Sequence, residues 1–195
     1  MFIEAGFLRV LEAGGINQMR IHPVLNYNEN RRITTMGYYK IKSHAGTGKL
    51  LNIAASGPIS GRKNTNIWDE SCPIDQTWSI ASLGNNQQVK IINNLSYMLN
   101  ANTSTWNCDV YTSNSDTYVN FEKVSTGVYY IRLKSHPERY LTAGGTKSGS
   151  DVSWEKLSTT TAGKKAQQWK VTATSLPTVY TRVTSGACLL YTSDA

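Results

Sequence analysis

The chain repeats itself three times, and a repeat constrains the fold more than any local propensity does. The first unit opens with YYKIKSHAGTGKLLNIA (Tyr38 to Ala54) and closes with DQTWSI (Asp75 to Ile80). The second opens with QVKIINNLSYMLNA (Gln88 to Ala101) and closes with YVNFEKV (Tyr118 to Val124). The third opens with VYYIRLKSHPERYLTA (Val128 to Ala143) and closes with AQQWKV (Ala166 to Val171). Lys-Ser-His recurs at 42–44 and 134–136, and Ile41 to Leu51 spans the same ten residues as Ile131 to Leu141. The aromatic residues near the unit ends, Trp78, Phe121 and Trp169, stand 43 and 48 residues apart.

Within each unit, stretches such as YYKIK, VKII, TNIWD, DVYTS, YYIRL and DVSWE gather β-formers between Gly, Ser, Asn and Pro. Helix-period stripes are absent from residue 37 onward. Short strands in three units of 40–50 residues point to an all-β barrel or sandwich. One unit cannot bury its own apolar face, whereas three can close a shared core and remove exposed sheet edges. Composition agrees. Only 39% of residues are apolar and 17% charged, yet eleven Tyr and five Trp argue against disorder. Few charges, many neutral polar groups and many aromatics also suit a surface that binds sugars.

Several classes are excluded. No apolar run is long enough to span a bilayer. The N-terminal MFIEAGFLRVLEAGG makes a poor signal peptide, since Glu4 and Arg9 interrupt it. Three Cys are too few for a disulfide scaffold. There is no CxxC, HExxH, Walker loop or GxSxG. His22, His44 and His136 are far apart in polar contexts, so no metal site is expected.

The ends differ from the repeats. Residues 1–36 read as a linker, an upstream remnant or a mis-called start, with a short amphipathic helix over 2–11. Residues 173–187 read as a linker to a missing downstream region. The last eight, CLLYTSDA (Cys188 to Ala195), resemble a reading frame through a transposase adapter used in sequencing libraries, so the natural protein is expected not to end there. The alternative is a genuine terminal strand carried by Leu189, Leu190 and Tyr191.

The unit ends carry a family resemblance. Gln76-Thr77-Trp78 and Gln167-Gln168-Trp169 are two Gln-x-Trp motifs, and Val119-Asn120-Phe121 is a degraded third. Over residues 37–172 the chain resembles the ricin-type β-trefoil lectin domains, among them bacterial carbohydrate-binding modules attached to secreted hydrolases. The resemblance implies an all-β β-trefoil of three pseudo-symmetric repeats (about 37–81, 87–124 and 127–172). A six-stranded barrel would be capped by three hairpins, with Trp78, Phe121 and Trp169 as structural aromatics in the core.

It also implies a sugar site. Strand alternation puts Ile67 on one face and Asn66 with Trp68 on the other. In the family this strand carries the stacking aromatic. The matching set in repeat one is Asn52, Asn66, Trp68, Asp75 and Gln76. Asn52 departs from the usual Asp, and it either contacts sugar or supports a turn. Repeat two offers a weaker set, Asn100, Asp109 and Tyr111, with Tyr118 beside them. Repeat three offers Thr142, Ser153, Glu155 and Gln167, with Glu155 where a stacking ring should stand, and no ordinary site is expected there. Disulfides in the family lie within repeats, so Cys72 and Cys108 are expected to be free thiols.

Three functions compete. The first is non-catalytic binding of a galactose-type or other neutral glycan, targeting an attached secreted enzyme to polysaccharide. Its expected corollaries are a secreted or cell-surface monomer, with no cofactor, no metal and no nucleic acid. The second is binding of an anionic cell-wall polymer or nucleic acid, prompted by a net charge of +7. Residues 37–171 hold fifteen Lys and Arg against nine Asp and Glu, but no basic run exceeds two residues, as in a solvated surface. The third is a hydrolase, for which no catalytic carboxylate pair is evident; no catalytic residue is expected.

Overall fold

Alternation decides the strands. In Lys63–Trp68, Thr65 and Ile67 are fully buried while Asn64 and Trp68 face out, the two-residue period of a half-buried strand. The same period runs through Ile131 and Leu133 and through Val152 and Trp154. The structure, a computed structural model, describes residues 36–45, 48–55, 57 and 59–176, all within one of the chain's two compact units, Thr34–Ala195. The expected helix at 2–11 and the unusual end at Cys188 to Ala195 lie outside the described residues.

The strands are β1 (Gly37–Ser43), β2 (Leu50–Ile53), β3 (Lys63–Trp68), β4 (Trp78–Ile80), β5 (Gln87–Gln88), β6 (Lys90–Ile91) and β7 (Met98–Asn102). They continue as β8 (Asn107–Tyr111), β9 (Tyr118–Ser125), β10 (Val128–Leu133), β11 (Arg139–Ala143), β12 (Ser150–Lys156) and β13 (Gln168–Thr174). Pairing is antiparallel, in the order β11-β12-β3-β8-β7-β6-β4-β1-β13-β10. Strand β10 pairs back onto β11 through Arg132 and Tyr140, so the sheet closes on itself like a barrel. β2 bridges β1 and β3, and β9 and β5 extend from β10. The all-β reading holds, with one correction. Two short helices, α1 (Pro73–Gln76) and α2 (Thr161–Ala166), precede Trp78 and Trp169. Each is too short to leave a periodic stripe in the sequence.

The interior is lined by Ile41, Leu51, Ile67, Trp78, Trp154 and Trp169, all without solvent exposure, and Phe121 is buried beside them. Burying each large side chain contributes about 2–3 kcal/mol. Each indole N–H also finds a buried carbonyl. Trp78 Nε1 donates to Leu51 O at 3.2 Å, Trp169 Nε1 to Leu141 O at 2.8 Å, and Trp154 Nε1 to Asn100 O at 3.1 Å. Cys108 is a buried free thiol, with its pKa pushed above the usual thiol range by burial. The expectation of a free thiol fails at Cys72, which is disulfide-bonded. A family tendency about where disulfides fall carries no geometric constraint on this chain.

Candidate functional site

The β2–β3 hairpin builds the site. Its register sets Asn52 opposite Asn66 and Leu50 opposite Trp68. Asn52 Nδ2 donates to Asn66 Oδ1 and to Ile53 O, each at 2.8 Å. That fixes the Asn52 amide and engages Asn66 through its Oδ1, so this bond does not use the Asn66 amide N–H groups. Asn52, Asn66, Trp68, Ser71 and Asp75 line one pocket of about 380 Å³, floored by Ile53, Ala54 and Ala55. The volume falls at the small end of ligand sites.

Gln76 does not line this pocket. It is fully buried, and its side chain is spent on the loop that follows β3. Its Nε2 donates to Asp69 O at 2.7 Å, and its Oε1 accepts from Ser71 N–H at 3.0 Å. Gln167 makes the same clamp, donating to Lys156 O at 2.9 Å and accepting from Ser158 N–H at 2.8 Å. A polar residue in a motif can serve a ligand or a loop, and only the fold distinguishes them. Gln76 thus positions Ser71 at the pocket rim.

Asp75 is only 2% exposed but reaches the pocket. Burial pushes its carboxyl up to about 6, opposed by a hydrogen bond from Asn93 Nδ2. Asn93 also donates to Gly57 O at 3.2 Å and accepts from Ile59 N–H at 3.1 Å, tying the loop after β2 to the pocket. Sequence reading missed Asn93, since nothing local links a residue after β6 to α1.

Trp68 is 42% exposed, an uncommon state for a Trp in a closed sheet. Its ring is backed by the turn between β11 and β12. Gly149 sits at φ +85°, and a Cβ there would lie 3.2 Å from Trp68 Cζ3. Gly149 N–H donates to Ile67 O at 2.8 Å. Ser148 Oγ donates to Asp69 Oδ2 at 2.6 Å and accepts from Asp69 N–H at 3.1 Å. Lys49 pairs with the same carboxylate, and the hydrogen bonds from Lys49 and Ser148 hold Asp69 below the usual carboxylate range. The indole is therefore pre-set rather than loose, which lowers the entropy cost of stacking a ligand on it.

Repeat two is built differently. Asn100 and Asp109 face each other in register and hydrogen-bond at 2.7 Å, but each is only 1% exposed. Arg62 lies 3.3 Å from Asp109 Oδ2, an ion pair without hydrogen-bond geometry, and its guanidinium covers the Tyr111 ring at 4.5 Å. One face of Tyr111 is thus occupied by this chain. Burial raises the Asp109 pKa, opposed by the Asn100 hydrogen bond and the Arg62 charge. Tyr118 carries Lys134 5.6 Å from its ring centroid. In repeat three Thr142 faces Ser153, Gln167 Nε2 donates to Thr142 Oγ1 at 3.1 Å, and Glu155 is exposed opposite Tyr140. Among the described residues no three His, Cys, Asp or Glu side chains gather as metal ligands. No helix among them is long and apolar enough to cross a membrane.

The closed antiparallel sheet has solved counterparts. The earthworm R-type lectin C-half, in complex with GalNAc, aligns with a TM-score of 0.54 at 17% identity, covering 71% of this chain and 99% of that one. The chain shares the fold of β-trefoil lectins. The Vibrio vulnificus hemolysin/cytolysin β-trefoil lectin, with N-acetyl-D-lactosamine bound, aligns at 0.54 and 15% identity, over 73% of this chain and 98% of that one. An exo-β-1,3-galactanase from Clostridium thermocellum aligns at 0.60 and 16% identity, over 71% of this chain but 30% of its own length. No family model and no curated protein matches the chain.

Proposed function

We propose that this protein is a non-catalytic carbohydrate-binding domain that takes a neutral, galactose-type sugar in the Asn52–Asn66–Trp68–Asp75 pocket. The observation that carries the reading is Trp68. It is exposed, backed by Gly149, and set beside Asn66 and Asp75. A sugar's C–H face stacks on an indole, while its hydroxyls need fixed donors and acceptors. Here Asn66 offers an amide donor and Asp75 a carboxylate acceptor. The similar folds were solved with GalNAc and N-acetyl-D-lactosamine, which favours the galactose series.

Three pseudo-symmetric repeats belong to this reading. The matching clamps of Gln76 and Gln167, and the matching indole bonds of Trp78 and Trp169, support it. A single working lobe belongs to this reading as well, since Arg62 covers Tyr111 and Glu155 stands where a stacking ring would. Attachment to a secreted enzyme, delivery of that enzyme to polysaccharide and a monomeric state complete the proposal. One shallow site implies a dissociation constant near 1 mM, about −4 kcal/mol. Titration of the chain with galactose, GalNAc and lactose by NMR tests it. Shifts at the Trp68 indole and the Asn66 amide are expected, and no shift with any of the three sugars overturns the reading.

A further inference from the structure

A basic cleft runs away from the Trp68 pocket along the outer face of the sheet. The pairing registers place Lys170 opposite Lys42, Lys42 opposite Leu50, and Leu50 opposite Trp68. Residues directly opposite in a sheet share a face, so these four form one row across β13, β1, β2 and β3. Neighbouring strands stand about 4.8 Å apart, which puts Lys42 about 10 Å and Lys170 about 14 Å from Trp68 along the row.

Two oppositely placed lysines repel each other and cost stability. Glu70 acts on Lys42 only at a distance, through its charge and without an ion pair. A pocket of about 360 Å³ is lined by Lys42, Ser43, His44, Gly48, Lys165 and Lys170, with no Asp or Glu. Other lysines nearby are neutralised within the chain, Lys40 by Glu70 and Lys49 by Asp69. Among the described residues Lys42, Lys165 and Lys170 form no ion pair. Next to this cleft lies a pocket of about 270 Å³ lined by Lys40, Lys42 and Glu70, with the fully buried Leu50 also in its lining. Three lysines without an ion pair among the described residues line one cavity, and two of them lie in the row that leads to the stacking ring. Such a cavity suits an anionic oxygen group carried by the same ligand that stacks on Trp68.

We propose that the glycan bound by this domain is an anionic oligosaccharide. A neutral sugar stacks on Trp68, and a sulfate or carboxylate further along the same chain sits between Lys42, Lys165 and Lys170. The inference rests on the Trp68 reading for the neutral end of the ligand, but the anion cleft is a separate set of residues. Point charges such as lysine ammonium groups tolerate either anion, so the shared chemistry is a strongly charged oxyanion rather than one substituent.

The test uses the full chain with a sulfated galactan oligosaccharide, its desulfated counterpart, a uronate-bearing oligosaccharide of the same length and a single-stranded oligonucleotide. The sulfated ligand is expected to bind about tenfold more tightly than the desulfated one, the yield of a few partly exposed ion pairs. The gain should vanish in 0.5 M salt. The uronate arm then distinguishes sulfate from carboxylate. The double variant Lys42→Gln with Lys170→Gln should bring sulfated binding down to the desulfated level, while galactose binding and melting temperature hold or rise. If Trp68→Ala loses galactose but the double variant leaves the sulfate preference intact, the anion cleft is wrong and the sugar pocket stands. If galactose never binds while the lysine variants still lose the sulfated ligand, the sugar pocket is wrong and the cleft stands. Equal binding of sulfated and desulfated ligands, or binding of the oligonucleotide as tight as the sulfated ligand, overturns the proposal.

Discussion

Asn52 and Asn66 face each other across the β2–β3 hairpin, and the amide of Asn52 donates to Asn66 Oδ1 at 2.8 Å. That bond holds Asn66, which lines the pocket, by its carbonyl oxygen. Asn52→Ala removes the donor and lets the Asn66 amide turn. Sugar affinity should fall about five- to tenfold, the effect of one lost hydrogen bond of about 1 kcal/mol. Calorimetric titration checks this, and an unchanged affinity would show that Asn52 serves only the turn.

Trp68→Ala should abolish monosaccharide binding yet shift unfolding free energy by less than about 1 kcal/mol, because the ring is largely outside the core. Gly149→Ala is the sharper variant. It keeps Trp68 but forces a Cβ into a left-handed backbone position and toward the indole edge. Affinity should drop severalfold with Trp68 still present. NMR titration with galactose reads both variants, and Trp68 fluorescence also reads Gly149→Ala.

Asp75 has two opposite pH consequences. Its folded pKa of about 6 lies above the unfolded value near 3.8, so the folded state holds the proton more tightly. The stability this contributes is complete below about pH 4 and is lost as pH rises through 6. Asp75→Asn keeps an acceptor for Asn93 and should raise stability at pH 7 by about 2–3 kcal/mol. Sugar binding should run the other way in the wild type, weakening below pH 6 as the carboxylate acceptor is protonated. Melting and binding measured from pH 4.5 to 8 would separate the two trends.

Trp169→Ala should cost about 3–5 kcal/mol and sharply lower the thermal midpoint. The variant opens a cavity in the shared core and leaves Leu141 O without its indole donor. A melting temperature close to wild type, with sugar binding lost, would instead make Trp169 a ligand residue.

Arg62→Ala strips the cation from a buried carboxylate. Asp109 is only 1% exposed, and Arg62 is its cationic partner at 3.3 Å. We expect a loss of about 1–3 kcal/mol at pH 7, since Arg62 itself is partly exposed and its charge screened. The loss should shrink as pH is lowered toward 4, because protonation of Asp109 removes the buried charge that Arg62 offsets. Chemical denaturation at the two pH values tests it.

Much of the fold was legible because it depends on local chemistry repeated three times. Alternation in Lys63–Trp68 predicts which residues face in, and the intervals between Trp78, Phe121 and Trp169 predict a shared core. The pairing of Asn52 with Asn66 was less legible, because residues 54–62 separate β2 from β3 and alternation alone leaves the register open. The role of Gln76 was not. A glutamine two residues before a Trp looks the same whether it meets a sugar or a backbone, and here both ends of its amide are taken by Asp69 O and Ser71 N–H.

By itself the sequence determined the all-β class and the outward face of Asn66 and Trp68, which follow from periods of two residues and repeats of 40–50, while the family resemblance pointed to Asn52 and Asp75. Tertiary structure alone decided what surrounds those residues. Gly149 reaches Trp68 across about eighty residues of chain, Asn93 reaches Asp75, Arg62 covers Tyr111, and Lys42 meets Lys170. The physical reason is common to all four. Each contact joins strands or loops that are distant in sequence and neighbours only after the sheet has closed, so no local pattern of hydrophobicity or charge encodes it.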